Sequence, residues 1–197
     1  MSNTDQHIML RGVRVSFPHL FKLPTINNEE GSCGAVLMLD QSGPNVARIE
    51  NDIREISIAK WKREIPSDKR ALRAGEDKGR PEYDGYMVIS ANCKAGKFPL
   101  VVDASGTGFV SDESQCAIYP GCYVDAKIRL WAQDNKFGKR VNAELIAIRF
   151  SADGDALDDS YVSAEDAIAG FGPAPRTTSD PGYADANADV DYENMEV

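Results

Sequence analysis

Alternation with a period of two recurs through the first 150 residues. In 121–131 (GCYVDAKIRLW), Cys122, Val124, Ala126, Ile128 and Leu130 fall on one side. Tyr123, Asp125, Lys127, Arg129 and Trp131 fall on the other. This is the pattern of a strand with one face in a core. A polar turn at 134–139 (DNKFGK) separates it from a returning run at 140–150 (RVNAELIAIRF), so the two form a β-hairpin. Residues 8–17 alternate as well, with Gly12 placed for a bulge and Pro18 ending the strand. The run 33–39 (CGAVLML) is apolar throughout, as a buried strand is, and Asp40-Gln41-Ser42-Gly43 closes it. Further strands are expected at 86–92 (YMVISAN) and 99–102 (PLVV).

One segment changes period. Pro44 stands at a first helical position, and Val46, Ile49, Ile53 and Ile56 follow at helical spacing until Pro66. The spacing predicts an amphipathic helix over 44–63, lying on a sheet. Residues 64–85 and 104–120 read as long exposed loops, and residues 19–32 as a shorter one. Five or six strands, one helix and long loops favour a mainly β fold, a small antiparallel barrel crossed by the helix, over a parallel α/β fold.

After Phe150 the composition shifts. A short helix is expected near 163–169, and from Gly172 onward too few apolar residues remain to offset the entropy of ordering the backbone. The expected organisation is a folded domain over 1–170 and a disordered acidic tail over 171–197. Charge follows the same division. Residues 1–150 hold 21 Lys and Arg against 19 Asp and Glu, while residues 151–197 hold one against 12. The formal net charge of −9 is therefore a mildly basic body joined to a strongly acidic tail.

Several function classes recede. No run of about 18 apolar residues is present to span a membrane, and the N-terminus lacks the basic and apolar blocks of a secretory signal. A cytoplasmic location is expected. Cys33, Cys93, Cys116 and Cys122 are widely spaced and far from His7 and His19, which suits free buried thiols and not a zinc site. No G-x-S-x-G, Walker-type or H-E-x-x-H motif occurs. The acids Asp153, Asp155, Asp158 and Asp159 lack the rest of a calcium loop, so a metal-dependent nuclease is a weak reading. No catalytic residue, metal or cofactor is expected.

The outward face of 121–131 is the unusual feature, because it carries two aromatic rings and two cations. Single-stranded nucleic acid is held by cations that follow the phosphates and rings on which bases stack. Tyr123, Lys127, Arg129 and Trp131 supply both, and Lys136, Lys139 and Arg140 continue the series in the hairpin; the alternative is that a second layer covers this face and makes its rings, Trp131 above all, part of a core. Loop 64–85 adds Lys69, Arg70, Arg73, Lys78 and Arg80 beside Tyr83 and Tyr86; Lys94 and Lys97 flank Phe98. The tail can compete with nucleic acid for this basic surface. Its end, Asp189, Asp191, Tyr192, Glu193, Met195, Glu196 and Val197, mixes acids with apolar side chains as a docking peptide does.

The runs RVSFPHLF (14–21), RPEYDGYMVISA (80–91), PLVVD (99–103), YPGCYVDAKIRLWA (119–132) and GKRVNAELIAIRF (138–150) resemble tailed-phage single-stranded DNA-binding proteins. The resemblance covers about residues 8–160, and the F-P-x-L-F and G-C-Y-V-x-A-x-I blocks carry most of it. It implies an OB-fold barrel akin to the T7-type proteins, single-stranded DNA as ligand in phage replication and recombination, and replication or recombination proteins as partners of the tail. Trp131 is similar to a position where relatives often carry Tyr. The alternative is a β-rich virion or assembly protein whose tail only keeps it soluble.

Overall fold

The structure is a computed structural model that describes residues 7–26 and 29–157. The elements in chain order are β1 (His7–His19), a short ladder of β2 (Thr25–Ile26) with β3 (Glu29–Glu30), β4 (Gly34–Asp40) and α1 (Pro44–Trp61). They continue with β5 (Leu72–Ala74), β6 (Tyr86–Asn92), β7 (Leu100–Val102), β8 (Tyr123–Asn135) and β9 (Gly138–Ala152).

The main sheet runs β5-β6-β4-β1-β8-β9-β7. A parallel bridge between Ala91 of β6 and Ala143 of β9 curls it into a closed barrel of β1, β4, β6, β9 and β8. This is the expected OB-like architecture, with β5 and β7 as flanking strands on β6 and β9. Inward positions alternate as the sequence pattern requires: Leu10 and Val15, Leu37, Ile89, Val124, Ala126 and Ile128, Val141 and Ile148 are fully covered. Helix α1 lays Val46, Ile49 and Ile53 on this core. Its C-terminal end is tied to the β8–β9 hairpin by Trp61, whose indole N–H donates to Asp134 Oδ2 at 2.7 Å.

Two irregularities in β1 shape the outer surface. Gly12 sits at φ +58° where the β1–β8 register slips between Leu10 and Val13, and its amide donates to Asp125 Oδ1 at 3.0 Å. The β1–β4 register slips again between Ser16 and His19, and there Phe17 adopts φ +47°.

Two expectations need correction. Residues 64–85 are not a bare loop, because Ile65, Leu72 and Tyr83 are buried and pin the segment through β5 and three short 3₁₀ turns. The hairpin turn is tighter than expected: β8 reaches Asn135 and β9 begins at Gly138, leaving only Lys136 and Phe137 between them. The four thiols are free, Cys33, Cys93 and Cys122 buried and Cys116 half-buried. No helix among the described residues is long and apolar enough to cross a membrane. The helix expected near 163–169 and the tail expected over 171–197 lie outside the described residues.

Candidate nucleic-acid interface

Two grooves open on the outer surface over β1, β4 and β6. One, of about 680 Å³, is lined by Phe17, His19, Val36, Arg80, Ser90 and Asn92 among others. The other, of about 570 Å³, is lined by Arg11, Arg14, Asp40, Tyr86 and Tyr123 among others. An apolar cluster of Met38, Tyr83 and Val88 contributes Tyr83 to the first groove and Met38 to the second.

Phe17 is the most distinctive residue here. Strict alternation after Val13 and Val15 would turn it into the barrel, yet the bulge turns it outward and leaves it 40% exposed. The Arg80 guanidinium lies 4.4 Å from its ring centroid, and the His19 ring is 6.5 Å away. A non-glycine residue in the left-handed region costs on the order of 1–3 kcal/mol and persists where the surroundings impose it, often at functional sites. A bulge that re-aims an aromatic ring into a groove beside a cation fits that description.

The sequence-predicted residues fall into distinct environments. Tyr86 and Tyr123 line the second groove, half-buried and exposed respectively. Tyr83 is 3% exposed; its hydroxyl donates to Ser16 Oγ at 3.2 Å, and burial pushes its phenol pKa up. The ring is a packing anchor and not a displayed stacking surface, which corrects the expectation. Lys69 pairs with Asp68 at 3.2 Å. Arg70 bonds Glu64 and the Ile65 carbonyl. Arg80 bridges Phe17 and Glu82. Arg73 and Arg140 have no carboxylate partner among the described residues, and Lys94 and Lys97 are exposed at the β6–β7 turn.

The outward face of β8 forms a different wall of the barrel, between β1 and β9. Trp131 is half-buried there opposite Asn142, outside the barrel core. Arg129 is bound by Glu144, with Nε at 3.1 Å and a second, shorter contact from Nη2. Asp125 on the same wall is opposed by burial, but Arg149, the Gly12 amide and Arg11 together hold its carboxyl below the usual range. Lys127 projects from this wall between Met9 and Ala147, and Lys139 lies in the hairpin opposite Asp134. Of the cations expected on this wall, Arg129 is already neutralised by Glu144, a pairing set by the β8–β9 register.

Sequence reasoning missed Phe17, Arg14 and Asn92, and also Phe137, which is 74% exposed at the β8–β9 turn with Lys136 Nζ 5.0 Å from its ring centroid. The signal available was the aromatic before Pro18 at the end of an alternating run. The structure also shows where the chain leaves β9. Arg14 Nη2 donates to the Asp155 carbonyl at 2.6 Å, and the Leu157 amide to the Pro120 carbonyl at 3.0 Å. Tyr119 holds Asp153 and Gly154 through its hydroxyl, and Leu157 packs against the Met38–Tyr83–Val88 cluster. Among the described residues no three His, Cys, Asp or Glu converge on a metal position.

Known proteins are similar to this chain in fold and sequence. The single-stranded DNA-binding protein from bacteriophage Enc34, solved in complex with single-stranded DNA, superposes with a TM-score of 0.67 at 26% identity, over 77% of this chain and 89% of that one. The single-stranded DNA-binding protein of bacteriophage T7 matches in fold, with a TM-score of 0.51 at 14% identity, over 81% and 99%. A protein designated p50 from Acyrthosiphon pisum secondary endosymbiont phage 1 is 31% identical over 172 residues, 79% of this chain and 89% of that protein. The model of the family described as "Enterobacter phage Enc34, ssDNA-binding protein" matches residues 6–178, and the chain belongs to that family.

Proposed function

We propose that the chain is a non-enzymatic, sequence-tolerant single-stranded DNA-binding protein acting in phage replication and recombination in the cytoplasm of the infected bacterium. The observation that carries this reading is Phe17, whose left-handed backbone turns its ring into a groove beside Arg80. A base stacks on the ring face that Arg80 leaves open, and Tyr86 and Tyr123 extend the stacking surface along the second groove. In an OB-fold the faces of the second and third barrel strands and the loops after the first and fourth bind oligonucleotides. Here those strands are β4 and β6, and the Lys136–Phe137 turn is the last of those loops. The β8 wall, with Lys127 and Trp131, gives the strand a second, weaker track, and Lys94, Lys97 and Lys139 add electrostatic attraction.

The binding domain is assigned to 1–170 and the acidic tail to 171–197. The tail competes with DNA and docks replication or recombination proteins through its final residues. Two features support this. The tail holds nearly all the excess negative charge, and its root, 153–157, is fastened beside the grooves by Arg14 and Leu157. Removing 172–197 is expected to raise affinity for oligo-dT; unchanged or weaker binding contradicts the competition.

The function itself is tested by anisotropy of labelled oligo-dT across a salt series. Log affinity is expected to fall with log salt by about 0.7 for each phosphate neutralised on a single strand. A flat response, or no binding at all, returns the assembly-protein alternative.

A further inference from the structure

Three cations meet at a seam in the sheet. Strands β5 and β9 share one edge of β6: β5 covers residues 87–89, and β9 takes over at Ala91. Arg73 stands opposite Val88 and points outward, because its neighbour Leu72 enters the core. Lys78 reaches the same face, its ammonium donating to Ser90 Oγ at 3.5 Å. Arg140 also projects outward, because Val141 and Ala143 fill the barrel. Lys78 is held below the ordinary lysine range, first by burial and then by the charges of Arg73 and Arg140, so the three are electrostatically in touch.

The arrangement is unfavourable as it stands. None of the three has a carboxylate partner among the described residues, whereas Lys69, Arg70, Arg80, Arg129 and Arg149 each have one. Arg73 Nε is enclosed and has no acceptor among the described residues. An enclosed donor left without an acceptor costs on the order of 1–3 kcal/mol, and converging like charges add to that. Both costs vanish if an anion completes the cluster. Lys78 also lines the groove that contains Phe17 and Arg80, so the anion would sit at one end of the stacking surface.

We propose that Arg73, Lys78 and Arg140 form a seat for a single phosphodiester of a bound strand, whose neighbouring base lies in the Phe17 groove. The inference rests on the single-stranded DNA reading above and specifies its electrostatic anchor. Lys78→Gln, Arg140→Gln and the double variant are compared with the parent in oligo-dT salt series, with Lys60→Gln on the exposed side of helix α1 as a control. Each of the three test variants is expected to lower the salt slope by about 0.7, the value for one phosphate, and the control to leave it unchanged. An unchanged slope in the double variant overturns the seat, and a drop of about 1.4 overturns the sharing of one phosphate.

NMR titration of the Lys78 ammonium gives an independent reading. Saturating oligo-dT is expected to raise its pKa toward the ordinary value, while inorganic phosphate at matched phosphate concentration does not. No change with oligo-dT, or an equal change with inorganic phosphate, counts against a strand seat. If the parent itself fails to bind oligo-dT, the functional reading fails; if only the variants behave like the parent, the seat alone fails.

Discussion

Replacing Phe17 with glycine separates the energetics of folding from those of binding. The residue is 40% exposed, so about three-fifths of its surface is covered. Removing the ring forfeits roughly 1–2 kcal/mol of burial, taking 1.5–3 kcal/mol for a fully buried side chain of this size. Glycine adds roughly 0.5–1 kcal/mol of unfolded-state entropy. Against these, relief of the φ +47° conformation returns roughly 1–2 kcal/mol. The contributions nearly cancel, so Phe17→Gly is expected within about 1 kcal/mol of the parent, a melting shift of roughly 2–4 °C. Phe17→Ala keeps the strain and loses the burial, so it melts lower than the glycine variant. Both lose a stacked base, worth about 1–3 kcal/mol, which weakens oligo-dT binding roughly 5- to 150-fold. Thermal melts and anisotropy titrations measure the two quantities on the same samples, with Trp131→Ala as the comparator expected to lose less affinity. If Phe17→Gly binds within twofold of the parent, or Trp131→Ala loses more, the assignment of the stacking face to the β1–β4–β6 side is wrong.

Other outcomes follow from the packing. Arg129→Gln removes the main partner of Glu144, which is only 7% exposed, and is expected to cost about 1–3 kcal/mol of stability. Unchanged melting with weakened DNA binding would instead make Arg129 a contact residue. Gly121→Ala places a Cβ 2.1 Å from the Asp155 carbonyl oxygen at φ +107°, whereas Gly12→Ala at φ +58° meets nothing within 4 Å. The first is expected to melt well below the second, and equal melting refutes the close packing of 153–157. Burial pushes the Cys93 and Cys122 thiols up to about 11. Because these pKa values are raised in the folded state, their contribution to stability is intact below the unfolded cysteine value near 8.5 and is lost as pH rises towards 11. Melting temperature should fall over that window, and iodoacetamide at pH 8 should label these thiols only after unfolding. Rapid labelling of the native protein at pH 8 contradicts their burial.

What could be read from the chain depended on how regular its neighbourhood is. The β8 residues Val124, Ala126, Ile128 and Leu130 kept a strict period, so both faces of that strand were legible. Phe17 was hidden because a one-residue bulge inverts the alternation that Val13 and Val15 establish. Tyr83 stands among charged sequence neighbours that suggest display, but the tertiary fold returns it onto Met38 and Val88. The Arg129–Glu144 pair depends on β8–β9 register, which no local pattern encodes. The seam of Arg73, Lys78 and Arg140 joins two strands and a turn far apart in sequence, so its cations were recognisable individually but not as a cluster.

Photocrosslinking of an oligonucleotide carrying 5-iodo-deoxyuridine, followed by mass spectrometry of the adducts, locates the bound strand directly. Adducts are expected on Phe17 and Tyr86, in the grooves over β1, β4 and β6. Adducts confined to Trp131 and its neighbours on the β8 wall, or none under conditions where the strand is bound, would contradict that placement.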